Sequence, residues 1–215
     1  KGVRLDNFHV NTTCSPSRAA IITGRYSSRV GVWHTLGGRN IVHKEEKIIA
    51  QFFKDAGYKT GMVGKWHLGD NYPYRPEDRG FEHVFRIGGG SLGQVPDRWG
   101  NSLWDGWYLT EGEWKKTKGF CTDVQFDNAI QFVKKNRDEP FFLMVATTAP
   151  HSPIGAEEKY IKPYQEMGLS KSVATFYGMV ENIDDNVGRL RKTLKDLKLE
   201  ENTIFIYLSD NGSAC

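Results

Sequence analysis

Cysteine, net charge and long apolar runs are all scarce in this sequence, and each shortage closes off a class of protein. Three cysteines, Cys14, Cys121 and Cys215, cannot build a disulfide framework in 215 residues. Lys and Arg number 29 against 26 Asp and Glu, a formal charge of +3. That balance gives no reason to propose a nucleic-acid or membrane-surface partner. The longest clean apolar run, Phe141 to Ala146, is far shorter than the ~20 residues of a membrane-spanning helix. No internal repeat, low-complexity tract or linker is visible. What is present is 39% apolar and 26% charged residues, the composition of one globular domain with a sizeable core. Aromatics at 13% are plentiful enough for pockets or a broad interface. The chain opens on Lys1 with no signal-type apolar region and stops at Cys215 just after a strand-like run. The expectation is therefore a fragment cut at both ends.

Periodicity predicts alternating helices and strands. Ser15-Pro16 reads as a helix start, with Ser at the N-cap, Pro at the first helical position and Gly24 as the stop. Ile48, Ile49, Phe52, Phe53 and Ala56 have helical spacing within 44–56. Lys59 to Val63 reads as a strand ending at Gly64. Residues 70–119, rich in Gly, Pro and Trp, read as a long irregular insertion. Thr122 and Gln125 form a candidate capping box before a helix. Phe141 to Ala146 and Thr203 to Leu208 read as buried parallel strands. Ser170 caps a long amphipathic helix reaching about Leu197. Such alternation specifies an α/β fold.

In open α/β sheets, ligands bind beyond the carboxyl ends of the strands. Four polar clusters fall at such positions or at a helix start. Cys14 sits at a helix N-terminus, which favours anions and lowers a thiol pKa. Arg18 lies one turn on and can fork two hydrogen bonds to an oxyanion. A buried structural Cys beside a solvated Arg is an equally good reading of that spacing alone. A phosphotyrosine-phosphatase loop is excluded, because it needs Arg where Ala20 stands. Lys65 and His67, two apart, suit a sulfate or phosphate ester, Lys for charge and His for the proton. His151 sits between Pro150 and Pro153 on a stiff loop. Taken singly, each of these is as readily structural. Asp210 and Asn211 offer hard oxygen donors suited to Ca²⁺ or Mg²⁺, with Asp184-Asp185-Asn186 and Asp70-Asn71 as decoys.

Together these residues resemble one known family. Cys14-Ser15-Pro16-Ser17-Arg18, followed by Thr23-Gly24, matches the C-x-P-S-R-x-x-x-x-T-G signature of the type I sulfatases. Gly57 to Gly69 resembles their second signature, and Ala149 to Pro153 and Ser209 to Gly212 resemble two further elements in the right order. The insertion, with Arg79-Gly80-Phe81 and Gly119 to Asp123, looks most like bacterial arylsulfatase-type members.

The resemblance implies an alkaline-phosphatase-like α/β fold: a mainly parallel sheet between helices, incomplete at both ends. Residues 1–215 would be part of an N-terminal catalytic domain. It further implies a sulfuric ester hydrolase acting on an aryl sulfate or a sulfated carbohydrate. Cys14 would be oxidised by a separate maturation enzyme to formylglycine, whose hydrate attacks sulfur. Arg18 would hold that diol, Lys65 bridge it to the sulfate, and His67 accept a proton from its second hydroxyl. His151 would contact the sulfate and assist the leaving oxygen. Asp210 and Asn211 would bind Ca²⁺, in preference to Mg²⁺, to polarise the sulfate. Two more Asp ligands and a sulfate-binding Lys belong to segments outside these 215 residues. The resemblance also implies a periplasmic or secreted location. Two other readings share the motifs. One is a formylglycine-dependent phosphonate or phosphodiester hydrolase. The other is an inactive binding relative, which the intact polar set argues against.

Overall fold

The computed structural model describes residues 2–213; Lys1 and Cys215 lie outside the described residues. Five strands form one mixed sheet in the order β4-β3-β2-β1-β5. β1 (Lys59–Gly64) runs parallel to both β2 (His83–Arg86) and β5 (Phe141–Ala146). β3 (Trp107–Thr110) and β4 (Glu113–Lys116) extend the sheet in antiparallel fashion. Helices α1 (Cys14–Thr23) and α2 (Ile49–Asp55) cover one face. Helices α3 (Cys121–Lys135) and α5 (Lys171–Asp196) cover the other, and α4 (Glu158–Glu166) packs on α5. This is the α/β sandwich that the alternation of elements demands.

Strand side chains alternate between the two layers. Along β5, Phe142 and Met144 meet Ala19, Ile22, Ile48 and Trp66 on the α1/α2 side. Leu143 and Val145 meet Ala129, Met179 and Ile183 on the α3/α5 side. Each large apolar side chain so buried contributes roughly 1.5–3 kcal/mol. The long helix starts as expected: the Ser170 hydroxyl accepts from the backbone N–H of Val173 at 3.4 Å.

Several sequence expectations are corrected. The N-cap of α1 is Thr13, so Pro16 stands third in the helix, and the Ser15 hydroxyl is engaged elsewhere. No capping box forms at Thr122, because Gln125 is drawn inward to bridge Tyr108 and Thr148. The helix expected over 44–56 is limited to Ile49–Asp55. Within 70–119 the chain forms β2, β3 and β4. Each is four residues long, too short for alternation to show among the glycines and tryptophans. The largest departure is Thr203–Leu208, which joins no strand ladder. Its Ile204 and Ile206 are 89% and 73% exposed. A buried strand needs neighbours as well as apolar residues, and no described strand flanks this segment.

One turn positions the functional loops. β1 ends at Gly64, with φ +99, where a Cβ would lie 2.0 Å from the carbonyl oxygen of Ala146. Only glycine permits that approach. It lets the N–H of Lys65 donate to the same oxygen at 2.8 Å before the chain leaves the sheet.

Candidate active site

The four polar clusters converge at the carboxyl end of the parallel strands. Cys14, the first residue of α1, places its Sγ 3.2 Å from Nδ1 of His67. The Lys65 ammonium lies close enough to Cys14 for the two to interact electrostatically. Lys65 and His67 are both buried. His67 adopts φ +60, uncommon for a residue with a Cβ. Ser15 fixes that turn by donating to the His67 carbonyl at 2.9 Å. The loop after β1 is thus tied to the start of α1.

Arg18 joins this loop to the crevice. Its guanidinium is buried, and Nε donates to the Trp66 carbonyl at 2.8 Å. Nη2 donates to the Lys65 carbonyl. Two of its three nitrogens therefore hold the β1 exit loop, and Nη1 is left on the side of the crevice. Nη1 faces Asp210 Oδ2 at 3.6 Å, which brings the 209–211 loop to the same crevice. Burial pushes the Arg18 pKa down, opposed by Asp210 and by Cys14.

Burial likewise lowers the Lys65 pKa, helped by Arg18 and opposed by Cys14 and Asp210. His67 is pushed down to about 3, first by burial and then by Lys65 and Arg18, with a smaller contribution from His151. The imidazole is neutral at physiological pH. The backbone of Thr35 opposes that shift, and Nδ1 is the ring nitrogen that faces residue 14. His151 is exposed, and its Nδ1–H donates to the Ser152 carbonyl at 2.8 Å. Nε2 is left as its working nitrogen.

Asp210 and Asn211 are of the right kind for a hard cation. The Asn211 amide nitrogen donates to the Gly212 carbonyl at 2.7 Å, leaving its oxygen available. They are too few to complete a site: no group of three His, Cys, Asp or Glu is gathered for a metal among the described residues. The decoys are accounted for otherwise. Asp70 pairs with buried Arg86 at 2.9 Å, and Asp185 accepts from the Tyr160 hydroxyl at 2.8 Å.

The sequence reading missed the 88–97 loop. Gly90 lies flat against the imidazole of His67; a Cβ there would fall 2.3 Å from Cε1. Asp97 accepts from the N–H groups of Gly88 and Gly93 at 3.0 and 2.7 Å, and Asp70 from Gly89 at 3.3 Å. The run Gly88-Gly89-Gly90 was the available signal that backbone approaches something closely here.

The family model for sulfatases matches residues 1–215. The chain belongs to the sulfatase family. It is 32% identical to human N-acetylgalactosamine-6-sulfatase over 239 residues, covering all of this chain and 44% of that protein. Mouse arylsulfatase J is 31% identical over 229 residues, covering 99% of this chain and 37% of that protein. The crystal structure of Ps i-CgsB in complex with k-i-k-neocarrahexaose is 27% identical, with a TM-score of 0.73 over 86% of this chain and 45% of that one. The chain thus spans less than half the length of these relatives. The fold is that of the family.

Proposed function

We propose that the protein hydrolyses sulfate monoesters, with Cys14 as the precursor of its nucleophile. The observation that carries this reading is the convergence of Cys14, Lys65 and His67 at one helix start, with a 3.2 Å contact between Sγ and Nδ1 of a histidine held neutral. Formylglycine at position 14, made by a maturation enzyme, would on hydration supply the attacking hydroxyl and a second one that expels sulfate. Ca²⁺ held in part by Asp210 and Asn211 would polarise the sulfate, and further oxygens are needed to reach the roughly six to eight that Ca²⁺ takes.

The chain's own residues do the rest. Lys65 neutralises the anionic ester beside residue 14. His67 accepts a proton from residue 14 through Nδ1, and its low pKa keeps it in the accepting form. Arg18 holds the carbonyls of Lys65 and Trp66, so both functional side chains keep their place. His151, with Nδ1 tied to Ser152, offers Nε2 to the leaving oxygen. A relative of stated name acts on sulfated N-acetylgalactosamine and others are arylsulfatases; both substrate classes suit this cradle.

The test is sulfate release by protein co-expressed with a maturation enzyme, with residue 14 examined by peptide mass spectrometry. Active protein should carry formylglycine at position 14. Cys14→Ala should lose nearly all turnover and keep its melting temperature. Active protein with only alkylatable Cys14 would refute the proposal.

A further inference from the structure

A cavity of about 320 Å³ opens beside His151, between Ser91 to Gln94 on one side and His151 to Pro153 on the other. Its size falls in the range of small-molecule sites, ~300–1,000 Å³. Three observations bear on its use. First, the two walls are fastened together, because the Ser91 hydroxyl donates to the Ser152 carbonyl. Second, the Gln94 wall is rigid. Asp97 binds the N–H groups of Gly88 and Gly93 and the Asn101 amide, and the N–H of Asp97 donates to the Gln94 carbonyl at 2.7 Å. Third, the half-buried Gln94 side chain lines the cavity and makes no hydrogen bond to any described residue. A rigid loop therefore presents two donors and an acceptor with no internal partner.

We infer that Gln94 is a specificity-determining residue whose amide hydrogen-bonds a hydroxyl neighbouring the ester on a sugar leaving group. The inference rests on the sulfate-ester reading and adds what that reading leaves open, namely how the alcohol half is chosen. The geometry follows the loop. Gly90 touches His67, which touches Cys14, and four residues on Gln94 faces the space next to His151. The sulfate end of a substrate belongs to the first group and its alcohol to the second. The ring of a simple aryl ester carries no hydroxyl beside the ester oxygen, whereas a sugar ring does. A carboxamide on a preorganised loop gains from such a partner without first breaking an internal bond.

The experiment compares Gln94→Ala with the unaltered, matured protein on two substrate sets: 4-nitrophenyl sulfate, and a panel of hexose and N-acetylhexosamine monosulfates. The Gln94 side chain makes no hydrogen bond to any described residue and its backbone bonds are kept by Ala, so the variant should fold, and its melting curve verifies this. The expected result is a fall of roughly threefold to tenfold in kcat/KM on the best sugar sulfate, the loss of one neutral hydrogen bond, with the aryl ester unchanged within about twofold. Replacing the neighbouring hydroxyl of that sugar by hydrogen should lower kcat/KM for the unaltered protein and leave the variant unmoved. Equal losses on both substrate sets, or no loss on either, overturn the role of Gln94. Cleavage of the aryl ester with no sugar ester accepted overturns it as well. Failure of the full-length, matured protein on every sulfate ester would instead overturn the sulfatase reading, and this inference with it.

Discussion

His67 shows at the scale of one residue how burial selects a chemical role. Beside Lys65 and Arg18 a second proton on its ring would be a third positive charge in a buried pocket. Its pKa of about 3 against an ordinary 6.5 makes it an acceptor throughout the physiological range. The same shift is a statement about stability. Between pH 6.5 and about 3 the unfolded chain binds a proton at His67 that the folded chain does not. Stability from this residue is therefore fully present above pH 6.5 and falls by up to roughly 1.4 kcal/mol per pH unit on acidification through that window. Melting temperatures taken from pH 7 to pH 4 should drop more steeply for the unaltered protein than for His67→Gln. Parallel curves would show that His67 is not held neutral by the fold. Arg18 makes the complementary point. Its spacing from Cys14 is that of an anion clamp, yet its donors serve the carbonyls of Lys65 and Trp66. Sequence spacing shows which face a side chain occupies, but not which acceptors the chain brings to it from 47 or 48 residues away.

Among the elements, legibility followed the range of the interactions involved. β1 and β5 were readable because a short run of apolar or small residues between turn signals, five in β1 after Lys59 and six in β5, has few other uses. The start of α5 was readable because its cap is local. The capping box at Thr122 was misread because Gln125 serves Tyr108 and Thr148, partners 17 and 23 residues distant. β2 to β4 were hidden by their brevity. The motifs located the site loops at Cys14, Lys65, His67, His151 and Asp210, whereas the 88–97 loop, defined by backbone contacts, left only its glycines as a trace. Helix α5 lends itself to a test of which part of its stripe meets the sheet. Leu194 is 4% exposed and packs with Phe126, Ile130 and Val133, whereas Val180 is 37% exposed. Leu194→Ala should destabilise by about 2–5 kcal/mol and Val180→Ala by less than ~1 kcal/mol, read from denaturant midpoints. Comparable losses at the two positions would mean that the helix is buried along its whole apolar face.

For the molecule as a whole, the feature with the widest consequence is the unfinished side of the sheet. β5 is the last strand in the order, so its outer backbone edge has no strand partner among the described residues. Its six residues are only half-buried. The apolar segment 203–208 lies exposed as well, and Tyr207 lines a second cavity, of about 350 Å³, with Tyr177, Val180 and Val187 of α5. An open edge together with apolar surface is a template for pairing with another chain. A formal charge of +3 on 215 residues offers little repulsion to oppose it. The chain 1–215 should therefore self-associate as its concentration rises, measured by analytical ultracentrifugation. Ile204 and Ile206, at 89% and 73% exposure, have the spacing of one strand face. Replacing both by Lys should shift the weight-average mass toward the monomer. Added charge alone would also favour monomer, so the comparison needs a control with Lys at exposed sites away from this edge. Tyr72, 77% exposed, and Trp99, 91% exposed, provide them. The Ile204→Lys, Ile206→Lys chain should be mainly monomeric at concentrations where the Tyr72→Lys, Trp99→Lys chain still associates. Equal dissociation in the two would assign the association to net charge and remove the exposed 203–208 segment as its cause.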